Sequence, residues 1–187
     1  VSYTGRARTR LIAVARGDEE PDLVIEGARI FSVFTREWLS GDVGIADGRI
    51  AGIGSFDGGE RLSADGAHLV PGFIDAHVHL ASHTIGDGDW QHAGLTEMPS
   101  QLALLGAAHA QQTLEAGFTT VRVAGTGNLS DVALRNAINR GDVVGPRMQV
   151  ATLTVGATGG HGDTNGFSPY LKFGGFSGLA DGVDEIR

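Results

Sequence analysis

The order of strand-like and helix-like segments after Pro71 constrains the fold of this chain more than any other feature of its sequence. Compact runs of β-branched and apolar residues alternate with stretches in which apolar residues recur at helical spacing. The segments follow one another as strand 72–80, helix 100–116, strand 119–124, helix 130–141 and strand 148–153, with the opening turn of a further helix at 184–187. Strands that alternate with helices through short connections are typical of βαβ units. We therefore predict an α/β fold with a parallel sheet.

A different pattern precedes this region. Between residues 22 and 70, short apolar runs are separated by turn-forming pairs of residues, which is typical of small sheets built from hairpins. Three segments fit this description: a hairpin over 23–31 that turns at Glu26-Gly27, a hairpin over 43–53 that turns at Asp47-Gly48, and a strand over 62–69. We therefore predict a small β module over residues 1–70 and a second domain over residues 71–187.

The composition excludes several classes of function. The chain contains no cysteine, which rules out disulfides, thiolate zinc sites and cysteine nucleophiles within it. Its formal net charge of −8 opposes binding to nucleic acid and to anionic membranes. The short apolar run at residues 11–15 is insufficient for a signal sequence or a membrane span. We expect a cytoplasmic protein without a nucleic-acid or membrane partner.

Two histidines, His77 and His79, follow the first predicted strand of the parallel sheet. Residues two apart on a strand project from the same face, so the two imidazoles are expected to lie together at its carboxyl end, where parallel α/β folds bind ligands. We expect Phe73 and Ile74 to be buried and to fix this geometry. Imidazoles suit zinc, manganese or iron, and a metal lowers the pKa of a bound water toward neutrality. An isolated H-x-H is often only polar surface, but the buried strand and the βαβ units favour a metal site.

Residues 70–80, with the sequence VPGFIDAHVHL, resemble the first barrel strand of the amidohydrolase superfamily. The turn at Asp47-Gly48 and the residues after it are similar to that family's small β-sandwich. The resemblance implies the start of a TIM-like (β/α)8 barrel preceded by a β-sandwich module. It also implies that His77 and His79 bind the catalytic metal, most commonly zinc, with one or two ions in the complete enzyme.

Two subgroups of the family share features with this chain. Residues 11–42 are similar to adenine deaminases, whereas residues 113–122 and 158–163 resemble the imidazolonepropionase-related and prolidase-like amidohydrolases. Because barrel loops shape the substrate pocket, the second resemblance carries more weight. It implies hydrolysis of an amide or peptide bond in a small molecule or dipeptide. The alternatives are an adenine deaminase-like cyclic amidine hydrolase, an inactive fragment of such an enzyme, and a metal-binding or assembly module without activity.

The family completes its metal site with a lysine, two further histidines and an aspartate on later strands. Lys172 falls in a glycine-rich loop, so we do not assign it the bridging role, and we assign no catalytic proton carrier. A full barrel requires about 250 residues, so an N-terminal fragment is expected. Three βα units leave an open sheet edge, which leads us to expect a homo-oligomer.

Other polar residues have two interpretations each. His161 is a candidate for substrate binding, or an exposed loop histidine. Asp75 either orients a ligand histidine or fills the barrel, and Asp163 is expected to stabilise a turn. We expect Arg122 to form a structural ion pair rather than reach the pocket. The remaining histidines, His68, His83, His92 and His109, are not predicted as ligands, and Trp38 and Trp90 are predicted to serve packing, with Trp90 also considered for the pocket rim.

Overall fold

The computed structural model describes residues 5–83, 96–126, 128–163, 167–168, 170–171 and 178–186. The chain divides into two compact units, Val1–Pro71 and Gly72–Arg187, called here the N-terminal and C-terminal units. Across the described ranges, every helix is too short or too polar to cross a lipid bilayer.

The N-terminal unit contains one helix and one mixed sheet. Its elements are α1 (Gly5–Arg16), β1 (Leu23–Ser32), β2 (Glu37–Ala46), β3 (Arg49–Gly54), β4 (Glu60–Ser63) and β5 (His68–Leu69). The strand order is β3-β2-β1-β4, and β5 also pairs with β1. The strands β4 and β5 run parallel to β1, whereas β2 is antiparallel to both of its neighbours. The described strands of this unit form one sheet, and the β-sandwich stays a prediction.

The first predicted hairpin of this unit is wrong. Glu26 and Gly27 do not turn the chain but form a bulge inside the continuous strand β1, where the register shifts between Ile25 and Ala28. Gly27 has a φ of +68°, and its N–H donates to Asp42 Oδ1 at 3.0 Å. The left-handed glycine is therefore used to bend a strand, because a side chain on β2 satisfies its amide.

The second predicted hairpin is confirmed. Asp47 and Gly48 join β2 to β3 with φ values of 52° and 66°, as a two-residue hairpin turn requires. The strand predicted over 62–69 is instead two short strands, because Asp65 and Gly66 also have positive φ values, 47° and 79°, and interrupt it. The helix α1 was not predicted; its Val14 is fully buried.

The C-terminal unit has the predicted α/β order. Its elements are β6 (Phe73–Val78), α2 (Pro99–Glu115), β7 (Phe118–Val123), α3 (Ser130–Arg140), β8 (Arg147–Val150), β9 (Val155–Gly156), β10 (Gly178–Leu179) and α4 (Val183–Ile186). The strands β6, β7 and β8 form a parallel sheet in that order, and β9 pairs in parallel with β10. The βαβαβ prediction is confirmed, and closure into a complete barrel stays a prediction.

One face of this parallel sheet is covered by the helices. Val121 and Val123 on β7 are fully buried and pack with Ala110 of α2, Leu134 of α3 and Met148 of β8. This packing of alternate strand residues against two helices fixes the position of the strand ends.

The expected burial of Phe73 and Ile74 is wrong. Their side chains are 55% and 72% exposed. The strand β6 lies at one end of the described sheet order and pairs only with β7 there, so only one side of β6 gains neighbours. The Phe73 ring packs against Phe118 across the β6–β7 ladder, with centroids 5.6 Å apart.

Candidate metal centre

His77 and His79 lie next to each other at the carboxyl end of β6. Their ring centroids are 5.3 Å apart and the ring planes are inclined by 65°. Two imidazoles that bind one tetrahedral ion at about 2.1 Å bring their centroids to roughly 5 Å from each other. Both side chains are exposed. The arrangement therefore fits two neighbouring ligands of one divalent ion.

Asp75 controls the backbone from which this pair projects. The pairing of β6 with β7 is irregular between Asp75 and Val78, so the regular alternation assumed from the sequence does not hold here. Asp75 Oδ1 accepts the N–H of His77 at 3.0 Å. This contact engages the His77 N–H at the irregular step, so Asp75 supports His77 through the main chain rather than through the imidazole.

The His79 ring is oriented by a loop that follows β7. Its Nδ1 lies 3.2 Å from the carbonyl oxygen of Gly125. A carbonyl only accepts hydrogen bonds, so this contact assigns the proton of the neutral ring to Nδ1 and leaves the lone pair on Nε2. Histidines that bind metals are commonly oriented by such a contact.

Only glycine fits at the position that supplies this carbonyl. Gly125 has a φ of +127°, and a Cβ there would lie 2.6 Å from Thr154 Oγ1 and 3.2 Å from the carbonyl oxygen of Thr152. The backbone of the β7 loop therefore packs directly against the backbone that follows β8.

His109 and His83 have structural partners. His109, on α2, lies with Nδ1 2.8 Å from the carbonyl oxygen of Leu80 and so holds the backbone just after His79. His83 Nε2 lies 2.9 Å from Glu97 Oε1. Within the described part of the chain, no third histidine, cysteine, aspartate or glutamate joins the pair in a metal-binding cluster. The described residues therefore offer His77 and His79 as a pair of candidate ligands, without a third beside them.

The predicted substrate contact, His161, is exposed in a turn after β9. In the same turn, Asp163 Oδ2 accepts the N–H of Gly159 at 2.8 Å, which is the turn-stabilising role expected for it. His161 is not grouped with His77 and His79 as a metal ligand, and its contact with a substrate stays a prediction.

The other predicted residues fall into three groups. Arg122 is exposed, and among the described residues no ion pair engages it, so that expectation is wrong. Trp38 packs as predicted, with its ring centroid 5.2 Å from Phe31 and 4.8 Å from His68. Lys172, His92 and Trp90 lie outside the described residues.

A buried aspartate at the start of α3, which was not predicted as a site residue, connects two of the loops. Asp131 is 1% exposed. Its Oδ1 accepts Thr126 Oγ1 at 2.9 Å and the N–H of Val132 at 2.8 Å, and its Oδ2 accepts the N–H of Thr152 at 3.2 Å. Asp131 thus ties the loop after β7 to the chain after β8. An aspartate in a first helical turn is usually exposed, so no local pattern indicates this role.

Comparison with known proteins relates this architecture to hydrolases. The model of the amidohydrolase family matches residues 68–185. Adenine deaminase 2 of Desulfotalea psychrophila is 50% identical over 76 residues, which cover 41% of this chain and 13% of that protein. The adenine deaminase of Deinococcus deserti is 41% identical over 122 residues, which cover 59% of this chain and 22% of that protein.

Among solved structures, the chain is similar to a prolidase in complex with N-methylphosphonate-L-proline. The TM-score is 0.75 and the sequence identity 26%, over 88% of this chain and 41% of that one. The chain therefore spans less than a quarter of the two deaminases and less than half of the prolidase.

Proposed function

Because this chain belongs to the amidohydrolase family, we propose that His77 and His79 are metal ligands of a hydrolase that cleaves a carbon–nitrogen bond. The observation that carries the proposal is the adjacency of the two rings, 5.3 Å apart, at the carboxyl end of a parallel strand. The contact of His79 Nδ1 with the Gly125 carbonyl supports it, since it leaves Nε2 available to an ion.

The donor set suits a divalent ion, and we propose zinc, with one or two ions in the complete enzyme. When bound, such an ion supplies a water of lowered pKa and polarises the substrate carbonyl or ring carbon. The described residues hold and orient the ligands: Asp75 fixes the His77 backbone, Gly125 fixes the His79 ring, and His109 fixes the Leu80 carbonyl.

For the substrate, we propose a dipeptide or another small amide, as in prolidases. The sequence patterns at residues 113–122 and 158–163 support this choice, and so does the likeness to a prolidase over 88% of the chain. In this proposal, His161 contacts the substrate or its leaving group. We also propose self-association into a homo-oligomer, because β6 lies at an open end of the described sheet.

A second candidate substrate is adenine, with an adenine deaminase-like reaction on a cyclic amidine. Identities of 41% and 50% to adenine deaminases favour it, because they exceed the 26% identity to the prolidase. Both candidates use the same pair of histidines, so the metal centre does not separate them.

Metal content by mass spectrometry tests the centre. Because the described residues offer two ligands, we expect the purified protein to carry zinc in the presence of added zinc and the His77→Ala/His79→Ala variant to lose that zinc. His68→Ala is the matched control, because it removes an imidazole that packs on Trp38 in the N-terminal unit. Metal-free wild-type protein, or equal metal in the double variant, contradicts the proposal. Hydrolysis assays with proline dipeptides and with adenine then separate the two substrates.

A further inference from the structure

We infer that Asp131 is a positioning residue for His79, and that it acts through Thr126 and the carbonyl of Gly125. The functional importance of this role rests on the proposed function, in which His79 is a metal ligand. The claim that Asp131 orients the His79 ring depends only on this chain's own hydrogen bonds, and it has its own experimental test.

The carboxylate of Asp131 has hydrogen-bond donors for both of its oxygens. This carboxylate is buried and has no cationic partner among the residues that the structure describes; it accepts one hydroxyl and two backbone N–H groups. The Asp131 N–H also lies 3.5 Å from Thr126 Oγ1, so Thr126 contacts both the side chain and the main chain of Asp131. A carboxylate buried without a cation depends on each of these donors, because none is replaced by water.

The second step joins this carboxylate to the chain after β8. Thr152 donates its N–H to Asp131 Oδ2 at 3.2 Å and accepts the N–H of Thr126 at 2.8 Å. Thr152 has a φ of +65°, which a β-branched residue rarely adopts. A strained residue persists where its surroundings over-determine it, and here both its N–H and its carbonyl are engaged.

The third step reaches His79. Gly125 lies between two anchored residues: Ala124 donates its N–H to the Val78 carbonyl at 3.0 Å, and Thr126 is held by Asp131 and Thr152. With both neighbours fixed, the Gly125 carbonyl is directed at His79 Nδ1. Asp131 therefore lies two hydrogen-bonded steps from the ring that it orients.

A simpler role for Asp131 is to stabilise the first turn of α3. That role accounts for its bond to the Val132 N–H. It does not account for the bond to Thr152, which lies on a different loop 21 residues later. The contact with Thr152 is the one that ties the loops together.

The test observes the ring of His79 directly. We would label the histidines with 15N and record NMR spectra of the metal-free protein at a pH where imidazole is neutral. The chemical shifts of the ring nitrogens report the tautomer, and the signals that disappear in His79→Gln belong to His79. In the wild-type chain we expect His79 with its proton on Nδ1. In Asp131→Asn and in Thr126→Val we expect a mixture of the two tautomers, whereas Thr126→Ser retains the wild-type form because it keeps the hydroxyl.

Leu134→Ala is the matched control, since it removes a buried side chain of α3 without touching these hydrogen bonds. It is expected to destabilise the unit and leave the His79 tautomer unchanged. The inference is overturned if Thr126→Val and Asp131→Asn keep the wild-type tautomer, or if Leu134→Ala shifts it equally. Thr126→Val keeps the test decisive if Asp131→Asn does not fold.

Zinc titration supplies the second readout. We expect Thr126→Val and Asp131→Asn to bind zinc about 10- to 100-fold more weakly than wild type, as for other groups that orient ligands, and Leu134→Ala to bind as wild type does. A wild-type chain that binds no zinc contradicts the proposed function, yet the tautomer shift still decides the positioning role. Equal zinc affinity in all variants contradicts the positioning role alone.

Discussion

Each of the two units uses an aspartate to fix a turn, but in opposite surroundings. In the N-terminal unit, Asp22 is half exposed and accepts hydrogen bonds from the Arg10 guanidinium and from the Asp47 N–H, at 3.1 and 2.7 Å from its Oδ2. In the C-terminal unit, Asp131 is buried, and its partners in the described part of the chain are uncharged donors. The first arrangement responds to salt and pH, whereas the second depends on exclusion of water.

The pKa of Asp22 reflects its surroundings. The hydrogen bond from Arg10, followed by the one from the Asp47 backbone, lowers its pKa from 3.8 to about 2. The Arg10 guanidinium also bonds Asp47 Oδ1 at 2.9 Å, so one cation joins α1 to the β2–β3 turn. Because the folded pKa lies below the unfolded one, the carboxylate stabilises the unit above about pH 4, and this contribution is lost as the pH falls toward 2.

The largest effect is expected from Asp131→Ala. The substitution leaves the Thr126 hydroxyl and the N–H groups of Val132 and Thr152 without their acceptor, which costs about 3 kcal/mol of unfolding free energy. Hydrogen exchange followed by mass spectrometry should show faster exchange in peptides of the C-terminal unit only. Unchanged exchange around residues 124–152 would falsify the assignment of these loops to Asp131.

A smaller effect, in the other unit, is expected from Arg10→Gln. The pKa of Asp22 should return toward 3.8, so the loss of stability between pH 4 and pH 2 becomes shallower than in wild type. The stability at each pH is measured by urea unfolding, followed by Trp38 fluorescence in a Trp90→Phe background. At neutral pH, 1 M salt should lower the wild-type midpoint but not that of the variant, and a salt response that persists in Arg10→Gln contradicts the explanation.

The smallest effect is expected from Arg140→Gln. Arg140 pairs with Asp142 at 2.8 Å, and both side chains are more than half exposed, at 66% and 57%. Such pairs contribute roughly 0.5 kcal/mol or less. Urea unfolding should show no resolved change in the free energy of unfolding relative to wild type. A loss comparable to that of Asp131→Ala would remove the contrast between exposed and buried carboxylates.

Local signals in the sequence predicted the elements whose ends are decided locally. The turn at Asp47 and Gly48 needs only two residues that tolerate positive φ. Gly117 and Gly141 directly follow α2 and α3, and both have positive φ, 92° and 81°, which is typical of glycines that end helices. The α/β order followed from these boundaries.

Predictions of local structure and burial were wrong where a residue distant in the sequence determines the conformation. Gly27 bends a strand instead of turning it because Asp42, 15 residues later, accepts its N–H. Ile74 is exposed because its strand pairs on one side only in the described sheet. A run of apolar residues does not indicate how many neighbouring strands a strand has. Neither cause is visible within a short window of sequence.

The candidate site shows the same division. The pair His77 and His79 could be predicted because it forms a short H-x-H motif. The carbonyl of Gly125 lies 46 residues beyond His79, and His109 lies 29 residues beyond Leu80. Every residue type has a backbone carbonyl, so these supports could not be predicted from residue identities.

The distance along the chain between His79 and Gly125 also has a consequence for protein synthesis. Ribosomes add about 5–20 residues per second, so the support for His79 is made several seconds after the histidine itself. The Thr152 N–H that completes the Asp131 contacts lies later still, 21 residues beyond Asp131. During that interval the nascent His79 ring lacks the contact that orients it, and the complete set of contacts forms only once the chain as far as Thr152 has left the ribosome.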